Sequence, residues 1–264
     1  MILTMAGCEA IEENLHATLA AFGRAKPEGE TRELEGVAVT SSAVGYSMFN
    51  SAVLTAPVSS AREFERRVVT AAAFFRARGL GWSFWVCQDW MDGKVRGVVA
   101  DVAWRSGLHL VAEMPGMEAE SLAPPVRPLP RLECRRVCDA ATRADFSYIM
   151  VAAFGLPPPV AREIYEPEGV WSGGLTGWVG YCRDVAVTSA ATLAAGATVG
   201  VYAVGTPPAH RRKGYAEAVM RHALEEARAA GAAGPSVLES SEAGLLLYRA
   251  LGYRTVTRYA VFAT

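Results

Sequence analysis

The sequence has no surplus of either charge: 26 Lys and Arg stand against 27 Asp and Glu, a formal net charge of −1. A chain so balanced sets up no general basic field, and nucleic acid is not expected as a partner. It also lacks any CxxC pair. The five cysteines, Cys8, Cys87, Cys134, Cys138 and Cys182, are odd in number and scattered. No histidine or second pair completes a zinc set around Cys134 and Cys138, so no metal site is expected. Free thiols of this kind suit a reducing, cytoplasmic compartment. The opening "MILTMAGC" resembles a lipoprotein cleavage box, but it has no basic n-region and too short an apolar part. One charge-free run, Val185 to Ala209, is long enough to suggest a membrane span. Thr, Ser and Gly recur in it, Ala194–Ala197 reads as a turn, and Pro207-Pro208 closes it. Two β-strands joined by a short loop fit that content better, and no membrane segment is expected. Both common nucleotide loops, G-x-x-x-x-G-K-[ST] and G-x-G-x-x-G, are missing too.

What is present is an ordinary globular composition. Of 264 residues, 51% are apolar and 20% charged, enough for one large domain or two medium ones. The Pro-rich segment "LAPPVRPLPRLE" (122–133) disfavours both helix and ladder pairing, and it divides the chain into 1–122, a linker at 123–132, and 133–264. The same order of elements recurs on either side. In the first half, 13–25 reads as a helix, 36–43 and 50–57 as strands, and 60–79 as a long helix with a capping box from Ser60 to Glu63. A strand at 82–88, a helix at 95–107 and a strand at 108–114 follow. In the second half, 132–139 reads as a strand, 141–155 and 160–166 as helices, and 177–193 as paired strands. A strand at 197–205 leads into a helix ending at Gly231, then strand 235–240, helix 243–252 and strand 253–264. Val219, Met220, Ala223, Leu224 and Ala227 share one face of the helix ending at Gly231, and Glu217 and Arg221 form a candidate pair on the other. Gly79 and Gly107 correspond to Gly231 and Gly252 as helix-ending glycines. This supports a duplication, the other reading being two unrelated domains of similar order. The expected fold class is α+β, mixed sheets flanked by helices, one per half.

The stretch "AHRRKGYAEAVMRHALEEARAAG" (209–231) poses a chemical question. Arg211, Arg212 and Lys213 stand at the start of a helix, where the dipole already favours negative charge. The arrangement works against helix stability unless an anion sits on it. A strand, a glycine-bearing loop and a helix start form a phosphate cradle: first-turn N–H groups point outward, Gly214 allows close approach, and the cations add charge-assisted donors.

These residues carry a resemblance. Arg211-Arg212-Lys213-Gly214-Tyr215-Ala216 is similar to R/Q-x-x-G-x-G/A, the pyrophosphate loop of the GNAT superfamily of acyl-CoA N-acyltransferases. The segment "LESSEAGLLLYRALGY" (238–253) resembles that family's closing segment. The resemblance covers residues 133–264, and the paired plan resembles tandem members of the superfamily. It implies two GNAT-like mixed sheets, acetyl-CoA as cofactor, and a loop of Arg211, Arg212, Lys213, Gly214, Tyr215 and Ala216 gripping its pyrophosphate. It further implies that Val204, Gly205 and Thr206 hold the pantetheine arm at a splayed strand, and that Ser240 lies near the cofactor. Tyr248 matches the tyrosine that protonates the departing CoA sulfur.

The general base is open. Glu163, Glu166, Glu168 and Glu239 are the carboxylates expected near the acceptor cleft, His210 and His222 have no evident partner, and an ordered water is the remaining candidate. The first half departs from the pattern. "TAPVSSAREFE" (55–65) has no glycine and acids where cations are needed, and Ala103 and Trp104 stand near the position matching Tyr248. This half is not expected to bind acetyl-CoA. It is expected to cover its partner's sheet and help shape the acceptor pocket, with Trp82, Trp85, Trp90 and Trp104 mostly in its core. Two functions remain in view. One is an N-acetyltransferase acting on a primary amine of a small molecule or peptide; the other is an acyl-CoA-binding sensor without turnover. A different acyl chain or an alcohol acceptor lies within the same fold, and the sequence leaves the oligomeric state open.

Overall fold

The first half begins with a helix and lays down three strands before its long helix. These are α1 (Met5–Arg24), β1 (Glu30–Leu34), β2 (Val37–Ser41) and β3 (Asn50–Leu54), then α2 (Ala61–Arg76). β4 (Ser83–Cys87), α3 (Gly93–Arg96), α4 (Val99–Arg105) and β5 (His109–Ala119) complete it. After the proline-rich segment come β6 (Glu133–Arg136), α5 (Ala140–Phe154), α6 (Pro158–Tyr165) and α7 (Glu168–Ser172). β7 (Thr176–Cys182), β8 (Val185–Ala195), β9 (Thr198–Gly205), α8 (Tyr215–Ala229), β10 (Ser236–Glu239), α9 (Leu245–Ala250) and β11 (Arg254–Ala263) close the chain. The structure, a computed structural model, describes residues 5–264; the first four residues of "MILTMAGC" lie outside the described residues.

The strands form one mixed sheet of eleven, ordered β1-β2-β3-β4-β11-β5-β10-β9-β8-β7-β6. Only β3–β4 and β9–β10 pair in parallel; every other neighbouring pair is antiparallel. The halves therefore match element by element. β1, β2 and β3 correspond to β7, β8 and β9; α2 to α8; β4 to β10; and α4 to α9. The sheets expected one per half are joined because each half gives its last strand to the other. β11 pairs with β4, its register running from Tyr259 opposite Cys87 to Ala263 opposite Ser83. β5 pairs with β10, with Ser236 opposite Ala119. β5 and β11 then pair with each other along most of their length.

The charge-free run at 185–209 forms the β8–β9 hairpin, turned at Gly196 with φ +54°. Among the described residues, no helix is long and apolar enough to cross a membrane. The capping box read at Ser60 forms by half. Ser60 accepts from the Glu63 N–H at 3.2 Å, but the Glu63 carboxylate accepts from Ser59 N–H and Oγ instead. The helix read at 95–107 is broken between α3 and α4, around Gly97 and Val98. Trp82, Trp85 and Trp90 are core, so most of the four are buried as expected, and Trp104 is 67% exposed on α4.

α1 belongs to the first half in sequence, yet it is anchored on the second. Asn14 Nδ2 donates to Leu193 O (3.3 Å), Thr198 O (3.4 Å) and Thr198 Oγ1 (3.0 Å), while Tyr202 Oη donates to Asn14 Oδ1 at 2.7 Å. Gly200 makes room for this contact, since a Cβ there would stand 1.9 Å from Asn14 Oδ1. Asn14→Ala leaves several buried polar groups unpaired, at about 1–3 kcal/mol each before relaxation. The expected result is a fall in thermal midpoint of at least about 5 °C, read by differential scanning calorimetry. A midpoint unchanged within a degree would mean α1 is held by its apolar face alone.

Candidate active site

β9 and β10 run side by side only at Ser236–Val199 and Val237–Gly200, then separate. Beyond that point β9 bulges. Its pairing with β8 shifts between Ser189 and Ala191, and Ala203 takes φ +50°. Ser240 N–H turns away to donate to Pro115 O on β5 at 2.9 Å. The sheet thus opens into a fork. Two cavities meet there, and Phe154, Val204, Ser241 and Tyr248 line both.

The first cavity, about 350 Å³, holds most of the cation loop. Val204, Gly205 and Thr206 at the end of β9 line one part of it. Arg211, Arg212, Gly214, Tyr215 and Ala216 line another. Gly214 caps α8 with φ +83° and offers no side chain to its first-turn N–H groups. Those donors belong to residues that line the cavity, where the helix dipole adds positive partial charge. A Cβ on Gly214 would meet Pro130 Cδ at 3.2 Å, and the left-handed conformation itself disfavours any other residue. Arg212 adopts φ +62° in the same turn, an unusual cost for a non-glycine residue. Loops of alternating backbone hand gather N–H groups into anion-binding concavities.

The cations do not act alike. Arg211 turns back, donating from Nε to Thr206 O (3.1 Å) and from Nη2 to Ala153 O (3.1 Å), and so fixes the loop against β9 and α5. Lys213 donates to Ala209 O at 3.1 Å and stands outside the cavity wall, as does Ser240, whose buried hydroxyl donates to Ser241 O. Arg127 joins the wall from the Pro-rich segment, a residue that no motif singled out. Arg221 pairs with Glu217 at 2.8 Å and also holds Ala123 O at 2.6 Å, tying that segment to α8. In the first half, the corresponding helix start is capped by Ser60, and Glu63 and Arg67 occupy the space in front of it. Arg67 donates to Gly36 O and Pro57 O and pairs with Glu63.

Tyr248 is buried on α9 and packs edge-on against Tyr253 at 5.8 Å. Burial pushes its phenol up to about 12, so it holds its proton at neutral pH. The second cavity, about 320 Å³, continues on the far side of Tyr248, and its one charged lining residue is Glu239. Glu239 is half-buried as a residue, but its Oε1 has no solvent access and no hydrogen-bond partner. Desolvation raises this carboxyl to about 8. The other candidate bases stand elsewhere. Glu163 is exposed near Lys26, Glu168 is exposed, and Glu166 lies outside both cavities. His210 lines the first cavity, whereas His222 packs edge-on against Trp178 at 4.4 Å, away from the site. The first half supplies Leu15, Thr18, Leu19 and Phe22 from α1, Tyr46, Met48 and Phe49 from the loop before β3, Trp85 from β4 and Met114 from β5.

A forked parallel strand pair, with a cation loop opening the next helix, defines the site of this mixed α+β fold. Residues 181–256 match the acetyltransferase (GNAT) domain family. A GCN5-related N-acetyltransferase from Kribbella flavida superposes with a TM-score of 0.68 at 20% identity, covering 94% of this chain and 95% of that one. Another, from Sphaerobacter thermophilus, gives 0.56 at 13% identity over 87% and 76%. A tandem GNAT protein from the clavulanic acid biosynthesis pathway gives 0.53 at 13% identity over 96% and 94%. No curated protein matches the sequence. Residues 181–256 thus resemble a GNAT domain, and the chain as a whole shares the fold of these solved structures.

Proposed function

We propose that the protein is an N-acetyltransferase that moves an acetyl group from acetyl-CoA to a primary amine of a small molecule or peptide. In this reading residues 133–264 carry the reaction, and residues 1–122 form a half without a cofactor loop. The observation that carries it is the meeting of the two cavities at Tyr248, one built for an anion and the other holding a single buried carboxylate.

The residues fit the coenzyme. Tyr215, Ala216 and Glu217 N–H groups, with Arg212 and Arg127, would hold the diphosphate, and Val204, Gly205 and Thr206 would border the arm. When bound, the thioester supplies an activated acyl group and a thiolate leaving group. Glu239, once ionised, takes a proton from the incoming ammonium and frees the nitrogen lone pair to attack. Tyr248, buried and protonated, would supply the proton that a departing thiolate needs and would recover one from the nitrogen, which sheds its second proton as the amide forms.

Arg212→Glu tests the reading by calorimetric titration with acetyl-CoA. Losing a charge-assisted bond and placing a carboxylate against phosphate is expected to weaken Kd at least tenfold. An unchanged Kd would remove the proposal. Binding intact in the wild type with no thiol release on any amine would favour the sensor.

A further inference from the structure

The second cavity has a composition that narrows its ligand. Its volume, about 320 Å³, is at the low end of the roughly 300–1,000 Å³ of small-molecule sites, too little for a folded partner. Leu15, Leu19 and Phe22 of α1 line it together with Met150, Leu156 and Leu175 from the second half. Against these apolar walls stand two buried polar atoms without partners, Glu239 Oε1 and Thr18 Oγ1. Hydrocarbon alone, such as a long acyl chain, would fill the walls but leave both atoms unpaired, which burial penalises. A polyamine would bring a second ammonium to a cavity whose one charged lining residue is Glu239. One ammonium group on an apolar body satisfies both demands: its N–H donors meet the carboxylate and the hydroxyl, and its body displaces water from the walls.

We infer that the acceptor is a small primary amine with one ammonium group on an aromatic or branched apolar body. Its nitrogen sits at Glu239 and its body lies between α1 and the Met150–Leu156 wall. This rests on the acyl-transfer reading, but the cavity's ligand class can be tested without it.

The experiment titrates the protein, without coenzyme, with 2-phenylethylamine, isoamylamine, 2-phenylethanol, cadaverine and spermidine by calorimetry. It then measures thiol release from acetyl-CoA with the same amines. The two apolar amines are expected to bind at least tenfold tighter than the diamine, the polyamine and the neutral alcohol, and to give at least tenfold higher kcat/KM. Leu156→Lys, in the loop after α5, is expected to raise KM for 2-phenylethylamine at least tenfold while the Kd for acetyl-CoA stays unchanged. Met48→Lys, from the other half, gives the same readout should the first variant misfold. Preference for spermidine or cadaverine would overturn the inference and leave acyl transfer standing. So would equal use of all amines together with tighter binding of octanoyl-CoA than acetyl-CoA. Apolar amines binding as expected, with no coenzyme binding at all, would uphold the ligand class and remove acyl transfer instead.

Discussion

Tyr248→Phe is expected to lower kcat by about 10²–10⁴-fold while the Kd for acetyl-CoA moves by less than about twofold. The substitution removes one oxygen and keeps the ring that packs on Tyr253 and fills the space beside Gly244. Loss of packing is therefore a small part of the result, and loss of a proton donor the main one. Because burial has pushed the phenol up to about 12, no descending limb in the pH–rate profile of the wild type is expected below about pH 10. Single-turnover and steady-state measurements, with calorimetry for the coenzyme, check this together. A kcat within threefold of wild type would reduce Tyr248 to a packing residue at the junction of the cavities.

Glu239→Gln gives the second large effect, and its sign can be worked out on two independent axes. The raised carboxyl, near 8 by desolvation, is largely neutral at pH 7 and must ionise to accept the ammonium proton. Activity as kcat/KM is expected to climb through pH 7–8 in the wild type. The glutamine variant is expected to lose that limb and about 10²–10⁴-fold in rate. Stability should move the other way. A carboxyl whose folded value lies above its unfolded one contributes stability that is present below about pH 4.5 and lost as pH rises towards 8. Glutamine does not ionise, so the thermal midpoint of the variant should gain on the wild type progressively between pH 5 and 8. A rate limb that survives the substitution would reassign the base. A midpoint difference that ignores pH would mean that Glu239 is not desolvated.

The cation loop was legible because it breaks a local rule. Three cations and a glycine at a helix start conflict with the dipole, and only a ligand resolves the conflict. The hairpin at 185–205 was legible from its turn chemistry, and the buried face of α8 from its period. Other features depend on contacts made far along the chain. Charged β1, "ETREL", has little apolar content because it is an edge strand, and it carried no strand signal. Strand β5 runs on through Pro115, which ends a strand in most contexts; here it stands beside the register shift between Thr255 and Thr257. The strand exchange left no local trace at all. Glu239 was one of four candidate carboxylates, and what sets it apart is enclosure by the cavity wall that α1 and β4 of the other half complete. Arg127 was hidden in a segment whose prolines spoke only of a linker.

The exchange of final strands makes the two copies mutually obligate. A gene fragment ending at the proline segment would encode a sheet whose β4 lacks its neighbour and whose β5 has no β10 to join. Neither copy can be discarded once this has happened, whatever becomes of its chemistry. The first half, whose α2 start is capped by Ser60 and carries Glu63 in its first turn, is thus held by the strand it lends. Losing either half would strand the other's last β-strand without a neighbour, whatever reaction the chain performs.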